Sequence, residues 1–228
     1  MVIIYSIEGS IGSGKSTIVN HLKKTVDQYK KTYSNFSSDN PIIFLDEPVN
    51  VWETIKDKND ETILSKFYKD QEKYAFSFQM MAYISRISML RNTIKKYPNS
   101  IIVCERSVFT DCNVFAKMLY DTNKIEEINY LIYLKWFNEF IEDTPIHRFI
   151  YINASPNNCD QRIIKRNRIG ETVPLEYSKL CVNYHDSWLS KENNKFVIDA
   201  NKDIEKDSTL LDKWINEIHI YIQSTLPQ

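Results

Sequence analysis

Residues Gly9 to Ser16 read G-S-I-G-S-G-K-S, which satisfies G-x-x-x-x-G-K-[ST], the spacing of a loop that wraps a polyphosphate. Backbone N–H groups of Gly9, Ser10, Ile11, Gly12, Ser13 and Gly14 can curl around phosphate oxygens, and the helix that follows adds a favourable dipole. Lys15 then bridges the outer phosphates and Ser16 holds a Mg²⁺ ion, with Thr17 beside it as a further contact. Only four glycines occur in the chain and three fall in this loop, so the clustering points to a binding loop rather than a plain turn. Such a loop leaves the acceptor open, because GTPases, ATPases and small-molecule kinases share it.

Acids and guanidinium groups narrow the chemistry. Asp46-Glu47-Pro48-Val49 and Trp52 follow an apolar run, which sets a carboxylate at the carboxyl end of an expected strand, where ligands of parallel sheets bind. Glu47 there can orient or deprotonate an attacking hydroxyl. Glu105-Arg106-Ser107 follows another such run and supplies a second acid for Mg²⁺ and a planar fork for a migrating phosphoryl group. Arg162 and Arg166 are four apart and share a helix face. With Arg168, Gly170 and Glu171 they form a basic hinge, a lid over roughly residues 162–172 able to exclude water from the site.

These groups need a scaffold that brings strand ends together. Apolar, β-branched runs at Val2 to Ile7, Ile42 to Leu45, Ser100 to Cys104 and Arg148 to Asn153, and a weaker one at Lys195 to Ile198, predict strands. Between them, Lys15 to Tyr29, Glu61 to Lys96, Phe109 to Ile141, Pro156 to Lys165 and Pro174 to Ser190 carry helical periodicity. Alternating strands and helices predict an α/β, P-loop NTPase-type three-layer fold, a parallel sheet of about five strands flanked by helices.

A chain of 228 residues with 43% hydrophobic composition suits one domain, residues 1–228. Lys and Arg total 29 against 30 for Asp and Glu, and a net charge of -1 gives no field for gripping a nucleic acid. The opening apolar run is too short for a signal core or a membrane span, so a cytoplasmic protein is expected. Cys104, Cys112, Cys159 and Cys181 show neither zinc nor disulfide spacing and are expected to be buried thiols.

In this order the clusters resemble the deoxyribonucleoside kinase family, the group of deoxycytidine, deoxyguanosine and insect-type deoxynucleoside kinases, over nearly the whole chain. The resemblance rests on Glu8 to Thr17, Glu47-Pro48-Val49 with Trp52, Tyr68, Phe78-Gln79, Glu105-Arg106-Ser107, the arginine segment, and Pro174-Leu175-Glu176-Tyr177 through Ser187-Trp188-Leu189. It implies transfer of the ATP γ-phosphate to a deoxynucleoside 5′-hydroxyl, with Glu47 as base, Arg106 steadying Glu47 and the phosphoryl group, and Glu105 positioning Mg²⁺. It also implies Tyr68 and Glu171 on the sugar 3′-hydroxyl, Gln79 on the base, Trp52, Leu64, Phe78 and Phe115 as walls, and Arg162, Arg166 and Arg168 as lid.

Gln79 and Arg86 are seven apart, two helical turns, with small Ala82 between them leaving room for a base. By the resemblance, Arg86 with Asp111 favours deoxycytidine or a purine deoxynucleoside over thymidine: such a pair serves amino and ring-nitrogen groups while crowding a thymine methyl. The family further suggests a homodimer. Tyr130, Leu131, Tyr133, Leu134, Trp136 and Phe137 crowd one helix, for which core burial is expected ahead of the alternative, a helix-to-helix interface. A thymidylate-type monophosphate kinase would need cations for the acceptor's phosphate, whereas Trp52, Tyr68, Phe78 and Gln79 are neutral; a catalytically silent relative would lack Lys15, Ser16, Glu47 or Arg106.

Overall fold

The computed structural model describes residues 1–29, 41–142, 144–145, 147–168, 173–207 and 209–226. Its elements in chain order are β1 (Ile3–Glu8), α1 (Lys15–Tyr29), β2 (Ile42–Leu45), α2 (Val49–Glu53), α3 (Ile63–Lys69), α4 (Gln71–Lys96), β3 (Ile101–Glu105), α5 (Val108–Thr110), a π-helical segment (Asp111–Ala116), α6 (Lys117–Asp121), α7 (Glu127–Ile141), β4 (His147–Asn153), α8 (Pro156–Arg166), α9 (Leu175–Leu189), β5 (Lys195–Asp199) and α10 (Leu210–Thr225).

Among the described residues the five strands form one parallel sheet in the order β2-β3-β1-β4-β5. Strand β1 is buried along its whole length, and its alternation feeds two cores. Ile3, Tyr5 and Ile7 pack with Ile18, Val19 and Leu22 of α1 and with Trp214, Ile215 and Ile218 of α10. Ile4, on the other face, packs with Tyr83, Ile87 and Leu90 of α4 and Tyr133 and Phe137 of α7. The strand order brings the ends of β1, β2 and β3 side by side, and those ends carry Glu8, Leu45 and Glu105.

Four expectations about helices are corrected. The helix read over Glu61 to Lys96 is two helices, because Asp70 (φ −148°, ψ 85°) ends α3 and its carboxylate accepts from Lys73 N to cap α4. The helix read over Phe109 to Ile141 loosens into the π-helical segment and then breaks at Asn123 (φ 58°), a side chain that tolerates the left-handed region. Helix α10 was not expected at all, yet it buries Leu210, Trp214, Ile215, Ile218 and Ile222, and Tyr5 donates to Ile222 O at 3.1 Å. Helix α7 buries Tyr133 and Phe137 but leaves Ile128, Leu131, Ile132 and Trp136 exposed, so core burial accounts for only one of its faces.

All four cysteines are free and buried. Among the described residues no helix is long and apolar enough to cross a membrane.

Candidate active site

A cleft of about 1130 Å³ opens over the carboxyl ends of β1, β2 and β3. Its first wall is the glycine loop. Gly9 has φ +146°, and a Cβ there would sit 2.6 Å from Ile152 O; Gly12 has φ +78°, and its Cβ would meet Cys159 O at 2.4 Å. Neither position accepts another residue, so the loop's turn and its close approach to β4 and α8 both require glycine. Residues Ile11 to Thr17 line the cleft, while Gly9 and Ser10 lie outside its lining.

Lys15 is buried and its Nζ donates to Ser10 O at 2.7 Å, which holds the ammonium inside the loop. Burial and the neighbouring Arg106 guanidinium lower its pKa to about 7, against the opposing pull of Glu105 and Glu47. Ser16 Oγ donates to Glu105 Oε1 at 2.6 Å. A hydroxyl and a carboxylate side by side at the mouth of a phosphate loop are hard oxygen donors that fit Mg²⁺, which keeps waters and takes its other ligands from substrate phosphates.

The opposite wall is built around one carboxylate. Glu47 Oε1 lies 3.2 Å from Arg86 Nη2 and 3.2 Å from Arg106 Nε. Burial would raise the Glu47 pKa, but Arg106, Arg86 and Lys15 together outweigh it and hold the group below the usual carboxylate value. Arg106 follows β3 with φ +64°, a strained conformation for a residue with a side chain. That backbone is retained by Arg106 N donating to Ile7 O at 3.0 Å and Nη1 to Gly9 O at 2.9 Å, with the guanidinium 5.0 Å from the Phe115 ring centre.

Arg86 crosses from α4 with every face of its fork engaged. Nε donates to Asp111 Oδ2 at 2.9 Å and Nη1 to Glu105 O at 3.0 Å, in addition to the Glu47 contact. Asp111 is buried, which pushes its carboxyl up to about 6 in spite of Arg86. Elsewhere on α4, Gln79 and Ala82 are buried facing the cleft, and Gln79 Oε1 has no hydrogen-bond partner among the described residues. A buried amide oxygen left open in a cleft is a recognition group awaiting a donor.

Leu64, Tyr68, Trp52, Phe78 and Phe115 line the same end. Trp52 meets Phe78 edge-on at 5.4 Å, Phe78 stacks on Phe67 at 4.7 Å, and Trp52 Nε1 donates to Ser85 Oγ at 2.9 Å. These contacts make a flat aromatic slot suited to a planar base.

On the lid side, Arg162 lines the cleft with Arg166 and Arg168 and is held there by backbone carbonyls. Nη1 donates to Ser13 O at 3.1 Å and Nη2 to Ala200 O at 2.8 Å, so the guanidinium ties the glycine loop to the turn after β5. Arg166 and Arg168 are exposed and line the cleft, with α8 ended by Asn167 in the left-handed region (φ 46°). Glu171 and Gly170 lie outside the described residues.

Sequence reasoning missed several lining residues. Phe67 and Tyr177 flank the nucleobase end, while Asn201, Asp203, Glu205, Leu211 and Trp214 form a rim beyond the glycine loop. The rim was hidden because α10 was not expected; the spacing Leu210, Trp214, Ile215, Ile218 and Ile222 was its available signal.

Residues 5–223 match the deoxynucleoside kinase family. The chain is 32% identical over 233 residues to a probable deoxycytidine kinase of fowlpox virus, covering 94% of this chain and 89% of the relative. It is 30% identical over 241 residues to human deoxycytidine kinase (91% and 88% covered) and 27% identical over 247 residues to the mitochondrial deoxyguanosine kinase of Xenopus laevis (95% and 88%).

Proposed function

Since the chain belongs to the deoxynucleoside kinase family and so uses ATP to phosphorylate a deoxynucleoside, we propose that Glu47 is the base that takes the acceptor's 5′-hydroxyl proton and that deoxycytidine or a purine deoxynucleoside is that acceptor. The observation that carries the reading is the position of Glu47, an ionised carboxylate clamped by two arginines in the same cleft as the glycine loop. An ionised acid can accept the proton as the hydroxyl attacks, and Arg106 and Lys15, in the same cleft, would balance charge on the migrating group.

Mg²⁺, held by Ser16 and Glu105 with the substrate phosphates, would neutralise phosphate charge. The residues do the rest. Lys15 and the loop amides fix the triphosphate, Arg166 and Arg168 close over it, and Arg162 keeps the loop in register with the turn after β5. Tyr68 and Glu171 serve the sugar, Gln79 reads the base, and Trp52, Leu64, Phe78, Ala82 and Phe115 shape its slot.

Preference for an amino-bearing base rests on the Arg86 and Asp111 pair, whose charged groups border the slot where a thymine methyl would need apolar space. The exposed Ile128, Leu131, Ile132 and Trp136 stripe on α7 supports a homodimer packed through that helix. Four buried free thiols suit a reducing cytoplasm.

The test is phosphate transfer from ATP with Mg²⁺ to deoxycytidine, deoxyadenosine, deoxyguanosine and thymidine. Turnover of amino-bearing nucleosides well above thymidine is the expected result; thymidine as the best acceptor would contradict the assignment of base preference.

A further inference from the structure

Glu8 is the last residue of β1, sits immediately before the glycine loop, and is completely buried. Its Oε2 accepts a hydrogen bond from Thr110 Oγ1, and Thr110 is also completely buried. Thr110 ends α5 and directly precedes Asp111, which opens the π-helical segment and holds Arg86. The residues on either side of Glu8 are both tied to Arg106, through Ile7 O and Gly9 O. One buried contact therefore joins the strand that launches the phosphate loop to the segment that presents Asp111 and Phe115 to the acceptor.

We propose that the Glu8–Thr110 hydrogen bond is a register pin, making both residues positioning residues that set the distance between the phosphoryl donor and the 5′-hydroxyl. The proposal rests on the donor and acceptor placements given above. In-line transfer depends steeply on that distance, and misplacement of about 1 Å from outside the reacting groups can cost about 100-fold in rate. π-helical turns recur at functional sites, and such a loosened turn gains from an anchor at the residue that precedes it. The anchor cannot slide along β1, because the parallel register with β4 sets Glu8 opposite Tyr151. A threonine hydroxyl buried against a carboxylate has no water to replace its partner, so the bond has one geometry.

The experiment is rapid-quench measurement of the phosphate-transfer step with ATP and the best deoxynucleoside, on Thr110→Val, Thr110→Ser, Glu8→Met and the Glu8→Met/Thr110→Val double variant. Thr110→Val keeps the side-chain shape and removes the hydroxyl. It is expected to slow transfer about 10-fold or more, equivalent to about 1.4 kcal/mol in the barrier, with the KM of each substrate nearly unchanged. Thr110→Ser should recover most of the rate, and the double variant should be no slower than Thr110→Val, since one bond can be broken only once.

Normal transfer by the folded fraction of Thr110→Val would overturn the proposal, as would a loss confined to the KM of one substrate or additive losses in the double variant. If Thr110→Val does not fold, Glu8→Met, which removes the acceptor oxygens at similar length, decides: slowed transfer at unchanged KM supports the pin, and a wild-type rate overturns it. Glu47→Gln run alongside separates the two claims. Normal transfer in that variant would remove the underlying placement, whereas normal transfer in Thr110→Val beside a slow Glu47→Gln removes the pin alone.

Discussion

Arg86 and Asp111 form an ion pair at 2.9 Å with both side chains almost wholly buried, and both line the cleft. Neither charge can find water if the other is removed. Replacing Arg86 alone with Leu should therefore destabilise the fold by about 3–5 kcal/mol, whereas replacing both with apolar residues of similar volume should cost far less. Thermal or urea unfolding of the single and double variants checks this.

The same pair predicts an acceptor change. In the double apolar variant the slot loses its charges and gains space, so the kcat/KM ratio of thymidine to deoxycytidine should rise by at least about 10-fold, the scale on which one apolar group is discriminated. An unchanged ratio would place base selection elsewhere, with Gln79 the next residue to vary.

Donor binding should weaken with rising pH. Lys15 has its pKa lowered to about 7 by burial and by Arg106, so the free enzyme loses the ammonium above that pH. The kcat/KM for ATP should fall as pH rises through about 7, while kcat stays flatter because bound triphosphate favours the charged lysine. In the free protein the sign for stability is opposite. Between about 7 and the ordinary lysine value near 10.5 the unfolded chain binds the extra proton, so the Lys15 contribution to stability rises with pH. Lys15→Met should flatten both profiles.

Acid should unfold the protein through its buried histidines. His147 and His219 have pKa values lowered by burial to about 3 and about 4, and both His147 ring nitrogens lack partners among the described residues. Below pH about 6.5 the unfolded chain takes up protons that the folded one refuses, so each costs about 1.4 kcal/mol of stability per pH unit down to its folded pKa. His147→Phe, which keeps the ring contacts with Phe109 and Phe149, should show a shallower loss on urea unfolding at pH 5 than the parent chain.

The apolar stripe on α7 predicts a concentration-dependent dimer. Trp136→Glu places a charge at the end of the stripe, one helical turn beyond Ile132, without replacing buried Tyr133 or Phe137. Sedimentation should show a dimer for the parent and a monomer for the variant, with transfer activity per folded chain retained.

Much of this was legible in the sequence because parallel strands advertise themselves. Their runs are apolar and short, they are punctuated at the carboxyl ends by Gly9, Glu47 and Glu105, and the sheet order brings those punctuation marks together. Helix breaks were less legible. Asp70 reads equally well as an exposed helix residue and as a cap, and only the packing of Phe67 beside Phe78 decides it. The fate of Arg162 was invisible, because its partners Ser13 O and Ala200 O are backbone atoms far away in the chain. The Glu8 to Thr110 contact, 102 residues apart, was hidden for the same reason.

The measurement that tests the central claim most directly is single-turnover phosphate transfer by Glu47→Gln, with nucleoside affinity read on the same protein. Glutamine keeps the shape between Arg86 and Arg106 and removes the base. The account predicts a transfer rate lowered by about 100-fold to 10,000-fold, the usual span of general-base catalysis, with nucleoside affinity changed little. Transfer at the parent rate would contradict it.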